Sequence, residues 1–450
     1  MATAATVPSA TVSTATLEHP LRNPDYRLWL TGGTISLLGD QFYMVALPWL
    51  VLQETGSAMA MGAIMMAGAI PRAVLMLMGG ALSDRISARK IMMATATART
   101  ILVTAIGVLV WLHILRTWEL YALAVAFGVA DAFAVPAQTA FMPSLVRREQ
   151  LVAASSVSQS TGQLTTILGP VPAGFVIKTL GVAWAFFLDA ISFLFIIGAL
   201  WKLPDPPKSQ TPRKAVWHSI AEGIVYVGKD VPLRSLMLLA TIMNFCVAGP
   251  VAIGLAYLTK TKFGSPAVYG IVISAVAAGS LLGALLAGVW KIRRRGVMIL
   301  TVSVVLGVCL GAIGLMGSVG SVAGVLVVMG AAAGLVNVHI GAWAMQRIDA
   351  AVRGRVASVL MLAAYGIAPI SLAVAGFLVA WSLKSMFLLA GGLMLLAAAG
   401  AALPKQVREI DNHNMAGICE TLDQQGTRRK TGETILRDPE PVLSAVEGCS

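Results

Sequence analysis

The chain is 450 residues long, 57% hydrophobic and only 12% charged, with a formal net charge of +12. A soluble globular domain carries about 25% charged residues, so lipid rather than water is the expected main solvent. The positive balance is no footprint of nucleic acid, because Lys and Arg sit in short clusters between apolar runs, as at the ends of membrane helices.

Residues 1–24 are Ala/Thr-rich and lack a basic stretch followed by an apolar core, so they read as a flexible lead-in, not a cleavable signal. A membrane span needs about 20 mostly apolar residues. Runs of that length predict twelve spans, at 28–53, 57–80, 90–114, 118–141, 152–177, 183–202, 235–259, 267–290, 297–316, 320–344, 356–381 and 385–404. Gly, Pro and polar residues interrupt the pattern most between 118 and 177. The loops after even-numbered spans hold eighteen Lys and Arg, against five on the other face: Arg116, Lys178, Lys260, Lys262 and Lys384. That asymmetry predicts a multi-pass protein of the inner (plasma) membrane with both termini cytoplasmic.

The longest internal loop divides the spans six and six, giving an N-terminal bundle at 25–202, a linker at 203–234 and a C-terminal bundle at 235–404. The linker opens on the Pro-rich LPDPPKSQTP, then sets Ile220, Ile224, Val227 and Val231 at helical spacing, which predicts an amphipathic helix on the membrane surface. Residues 405–450 are polar without a sustained period and are expected to be disordered and cytoplasmic. Cys246 and Cys309 fall in apolar runs, Cys419 and Cys449 in the tail, so neither a disulfide framework nor metal spacing is present. A phosphate loop, an HExxH pair and a nucleophile elbow are likewise missing. No enzyme activity, cofactor or metal is expected.

Two motifs carry further meaning. Gly79 to Lys90 reads GGALSDRISARK between two spans and recurs, degraded, as GALLAGVWKIRRRG from Gly283 to Gly296. Span 5 contains GPVPAG, Gly169 to Gly174. There Pro170 and Pro172 remove backbone donors and bend the helix, while the glycines permit close helix approach. Together with PAQTAFMPSLVRREQLVAASS (Pro136 to Ser156), AEGIVYVGKDVPLR (Ala221 to Arg234) and RGRVAS (Arg353 to Ser358), these stretches resemble the major facilitator superfamily over about residues 20–404. Within it they resemble the macrolide and drug-efflux branch (the third type of drug:proton antiporter), which includes siderophore exporters and lysophospholipid transporters.

The resemblance implies an all-α membrane protein of twelve helices in two six-helix halves. Its signature loop would use Gly80 for close packing and Asp84 with Arg85 as a charge latch, and would set Arg89 and Lys90 over the lipid surface. Ser87-Ala88 stands where a single Gly is common, and the second half lacks the equivalent Asp. The helix-5 motif would press Gly169, Pro170 and Gly174 toward a helix of the other half.

An ionisable residue at bilayer depth is by default a functional candidate. Asp40 in span 1, Asp131 in span 4 and Arg72 in span 2 are expected to form one network on the central cavity and to couple proton and substrate. Arg99 and Asp189, in helices expected at the periphery, are read as structural. Asn244, Asn337 and His339 are possible cavity contacts in the second half. Trp49, Phe42, Met44, Met59, Met61, Met65 and Met66 read as core or lipid contacts.

The expectation is a monomeric, lipid-embedded transporter that exports an amphipathic, drug-like small molecule in exchange for protons. A dedicated exporter of a metabolite, siderophore or lysolipid is the alternative, and a membrane sensor or binding protein that does not transport is a further one.

Overall fold

The computed structural model describes residues 19–83, 86–205, 216–290, 292, 294–347, 356, 359 and 366–408. Ten helices in it are long and apolar enough to cross a membrane. Two more crossings, spans 5 and 11, complete the twelve. Span 5 is split at Gly169 into Leu151–Leu168 and Pro170–Leu180, because Pro170 has no N–H to continue the ladder. Span 11 is described mainly as Ala368–Trp381, the earlier part of its predicted range lying largely outside the described residues.

The other spans are Pro24–Thr55 (span 1), Ala58–Ser83 (2), Ala88–Trp111 (3), Thr117–Leu145 (4), Val182–Lys202 (6), Val231–Phe263 (7), Pro266–Val289 (8), Arg295–Ile313 (9), Val319–Arg347 (10) and Leu383–Ala402 (12). Span 1 shows why its limits fall where they do. Asn23 caps it, its side-chain oxygen accepting from the N–H of Asp25 at 2.9 Å, and Pro24 occupies the first helical position. Gly56, at φ 64°, ends it in the left-handed conformation that a side chain disfavours, and its N–H bonds the Leu52 carbonyl at 3.0 Å. Span 7 passes Pro250 through a π-helical segment, Pro250–Gly254, which absorbs the missing donor.

Glycine sets how the spans pack. In the second half, Gly279 and Gly283 of span 8 face Val327 and Ala331 of span 10, while Gly330 and Gly334 of span 10 face Val276 and Ser280 of span 8. A Cβ at Gly283 would stand 2.7 Å from the Ala331 carbonyl carbon. Two small-x-x-x-small stripes thus mesh backbone to backbone, which suits lipid because apolar side chains gain little from leaving it.

Between the halves, span 2 meets span 11 and span 5 meets span 8. A Cβ at Gly62 would lie 2.7 Å from the Leu372 carbonyl oxygen, and one at Gly376 would lie 2.8 Å from that of Ala58. Gly174 faces Pro266 and Ala267 in the same way. These contacts fall near the end where span 2 starts and span 11 finishes, opposite the Lys/Arg-rich loops. At that same end Lys260 of span 7 sits over the ring of Trp49 of span 1, 5.9 Å from its centroid.

At the basic end, the linker helix Val216–Lys229 sends Val227 into an apolar cluster with Leu233, Leu236, Ile299 and Val407. Val407 belongs to a short helix, Lys405–Arg408, so the expectation of a disordered tail from residue 405 does not hold for its first turn. Fully buried Val407 docks that turn on spans 7, 9 and 12. Residues 409–450 lie outside the described residues.

Candidate functional site: a charged cluster inside the first half

Spans 1, 2, 3, 4 and 6 each bring one ionisable side chain to mid-span. Asp40 is sixteen residues into span 1, deeper than the sequence limits implied, or about 24 Å along a helix of 1.5 Å rise. Arg72 Nε lies 3.0 Å from Asp131 Oδ2. Arg99 reaches both carboxylates: Nη1 is 3.5 Å from Asp131 Oδ1, and Nη2 donates to Asp40 Oδ1. Arg72 therefore pairs with Asp131, and the bridge between the two carboxylates is Arg99.

Arg99 is held by two aromatic rings as well. Its guanidinium lies 4.4 Å from the ring centroid of Phe193 and 5.0 Å from that of Phe127, two cation–π contacts in a site largely shut from water. Tyr43 stacks on Phe127 at 4.1 Å and fixes that ring in turn. The side chains grade from outside to inside: Arg72 is 42% exposed, Asp40 23%, and Asp131 and Arg99 11% each. Asp189 lies behind Asp40 and is fully buried. A Cβ at Gly39 would stand 2.7 Å from Asp189 Oδ1, so only glycine at 39 lets span 6 come this close.

The sequence missed Arg99 and Asp189 as members of this cluster. Spans 3 and 6 are expected at the periphery, yet span 6 packs on both span 1 and span 3, and both charged side chains are buried. The usable signal was depth, since each lies well inside its span, where an ionisable residue has no lipid-facing role.

The remaining candidates scatter. Gly174 packs against the other half, whereas Gly169 faces Gln41 of span 1 within its own half; Pro170 approaches Gly270 of span 8. Asn244 and Asn337 are exposed, Asn244 Nδ2 donating to its own helix at Ala240 O, 3.0 Å away. His339 is buried, with Nδ1 3.0 Å from the Leu335 carbonyl oxygen.

In the signature loop, Gly80 lies in the last turn of span 2, while Asp84 and Arg85 lie outside the described residues. Lys90 is exposed. Arg89, expected over the lipid surface, instead turns back to cap span 6, Nε donating to Leu200 O at 2.6 Å and Nη2 to Trp201 O at 3.0 Å. Beside it, Ser87 donates to Asp205. Among the described residues no group of three or more His, Cys, Asp and Glu side chains is placed to hold a metal ion.

Comparison with known proteins gives these features their setting. The family model described as transmembrane secretion effector, MFS_3, matches residues 15–427. The multidrug efflux pump Tap of Mycolicibacterium fortuitum is 30% identical over 83% of this chain and 94% of its own length. Macrolide efflux protein A of Streptococcus pyogenes is 25% identical over 62% of this chain and 69% of its own. In fold, the chain is similar to the nucleoside transporter NupG (TM-score 0.68, 13% identity, 83% of this chain and 99% of that one). It is similarly close to a bacterial homologue of the iron transporter ferroportin (TM-score 0.66, 17% identity, 84% and 98%). A chain of twelve spans in two six-helix halves, matched along almost its whole length, is a multi-pass membrane transporter of small molecules rather than an enzyme, and it belongs to the transmembrane secretion effector family, MFS_3, of the major facilitator superfamily.

Proposed function

We propose that this transporter exports amphipathic, drug-like compounds in exchange for protons, by alternating access. The observation that carries the reading is the sharing of Arg99 between Asp40 and Asp131 at mid-span. An arginine shared by two carboxylates has more than one stable pairing, and neutralising either carboxylate releases it to the other. Arg72, 42% exposed at this depth, supports a water-filled cleft beside the cluster, because a guanidinium facing hydrocarbon is strongly disfavoured. The relatives named as multidrug and macrolide efflux proteins support the direction and the substrate class.

The basic loops mark the cytoplasmic side of the cell membrane, so both termini are cytoplasmic, and the glycine contacts between the halves close the external side. The functional unit is one chain in lipid, with bundles at 25–202 and 235–404 joined by a linker at 203–234. The halves rock around the midplane cleft, as in other transporters built from repeats. Asn244, Asn337 and His339 supply polar contacts on its second-half wall, and the Gly80–Lys90 loop, with Asp84, Arg85, Arg89 and Lys90, gates the cytoplasmic side.

The test is accumulation of a lipophilic fluorescent dye in expressing cells, with and without a protonophore. Lower accumulation that the protonophore reverses is the expected result. Asp40→Asn and Asp131→Asn are expected to abolish the effect while leaving the protein in the membrane, and undiminished export in both variants would overturn the coupling role of the pair.

A further inference from the structure

Asp189 is fully buried in span 6, and neither of its carboxyl oxygens has a hydrogen-bond partner among the described residues. Ser192 Oγ, one turn on, donates to the Asp189 backbone carbonyl at 2.7 Å. The cluster brings three carboxyl groups, Asp40, Asp131 and Asp189, to two guanidiniums, and the ion pairs within 4 Å go from Arg72 and Arg99 to Asp40 and Asp131 alone. A buried carboxylate without a protein donor or a paired cation is among the most unfavourable groups a protein can bury; the neutral acid is far less so. Charge in the cluster balances only when one carboxyl keeps a proton, and the carboxyl without an ion-pair partner is Asp189.

We propose that Asp189 holds a proton in this conformation and is the proton-binding site of the transport cycle, an assignment that rests on the proton-coupled reading above. The groups facing it are few. Span 1 presents Asp40 and Tyr43, span 3 presents Arg99, span 4 adds Asp131 beyond Arg99, and the adjoining part of span 5 carries only the exposed Lys178 at its far end.

Gly39 is the opening. A side chain there would collide with Ser192 and Asp189, whereas glycine leaves Asp189 Oδ1 close to that stretch of span 1. On release, the O–H bond of Asp189 breaks and the proton passes to the partly exposed Asp40 carboxylate or to water beside it. The Asp189 carboxylate left behind then needs a cation. Arg99 is the candidate, because its Nε is buried and also lacks a hydrogen-bond partner. To reach Asp189, Arg99 must loosen its hold on Asp40 or Asp131, so loss of one proton changes how spans 1, 3, 4 and 6 are tied together.

The experiment is infrared difference spectroscopy on the purified full-length protein across a pH titration, with the carboxyl C=O band identified by its shift in heavy water. The wild type is expected to show a protonated-carboxyl band, and Asp189→Asn to lose it while retaining the thermal unfolding of the parent. If Asp189→Asn does not fold, Asp189→Glu is the second variant, expected to keep the band at a shifted frequency. Dye uptake into inverted vesicles is read alongside, driven by a pH gradient with sodium absent. Loss of pH-driven uptake in Asp189→Asn together with loss of the band supports the assignment. A band that survives Asp189→Asn and vanishes in Asp40→Asn overturns it while leaving proton coupling intact. Wild-type uptake that ignores the pH gradient, or follows a sodium gradient instead, overturns the coupling reading itself, whatever the infrared band shows.

Discussion

At the scale of single residues, Arg99 is the member on which the cluster depends. It is 11% exposed, contacts two carboxylates and lies against two aromatic rings, so its removal strands the mostly buried Asp40 and leaves Asp131 with Arg72 alone. Breaking such a pairing from one side costs about 3–5 kcal/mol. Arg99→Ala is therefore expected to lower thermal stability more than any other single change in the cluster, and Arg72→Ala much less, since Arg72 is already 42% exposed and Arg99 still covers Asp131. The check is the unfolding temperature in detergent, with Asp40→Asn added to Arg99→Ala. Partial recovery in the double variant is expected because one stranded charge is gone, and equal unfolding temperatures for Arg99→Ala and Arg72→Ala would refute the ranking. Asp40, Asp131 and Arg72 were legible as candidates because charged residues are conspicuous in apolar runs. Arg99 was equally conspicuous, but its place was assigned from the expected helix arrangement, and the sequence alone carried no sign that Phe127 and Phe193 would hold it.

At the scale of the helix, most limits were legible because caps are local. Asn23-Pro24 opens span 1 and Gly56 ends it, within four residues of the limits drawn from hydrophobicity. What stayed hidden is what arises between elements. The basic turn after span 2 looked like a lipid-facing patch, yet Arg89 satisfies the terminal carbonyls of span 6, 111 residues away in sequence. Arg89→Ala leaves the Leu200 and Trp201 carbonyls without this partner. The end of the helix is partly solvated, so the cost is about 1–2 kcal/mol. Amide exchange at the last turn of span 6 is expected to quicken by about tenfold for each 1.4 kcal/mol lost, and unchanged exchange there would show that the cap contributes nothing. The GPVPAG segment was similarly half legible: its prolines foretold a break, but not that Gly169 and Gly174 would serve different neighbours, Gln41 in the same half and Ala267 in the other.

At the scale of the whole molecule, several described contacts between the halves are approaches of backbone to backbone at glycine, at Gly62 with Gly376 and at Gly174 with Pro266. Composition alone made the twelve-span, two-half plan legible, because lipid demands long apolar runs and loop charge fixes their alternation. Which end is closed was not legible, since it depends on contacts such as Gly62 against Leu372 between residues some three hundred positions apart. Gly62→Leu tests that closure. A leucine there occupies space now taken by the Leu372 carbonyl and by Gly376, and close-packed helices cannot absorb it without moving apart. Leucine favours helix over glycine by about 0.8–1 kcal/mol, so span 2 itself is expected to fold and the effect to fall on the contact between halves. Ala58 provides the reporter, being 2% exposed beneath that contact. In an otherwise cysteine-free chain carrying Ala58→Cys, a membrane-impermeant maleimide added outside the cell is expected to react slowly, and far faster once Gly62→Leu is present. Dye export should fall in the same variant, because a transporter that cannot close its outer end cannot complete the cycle. Rapid labelling without Gly62→Leu would mean that the halves already stand apart there, and full export with it would mean that closure at Gly62 is not part of transport.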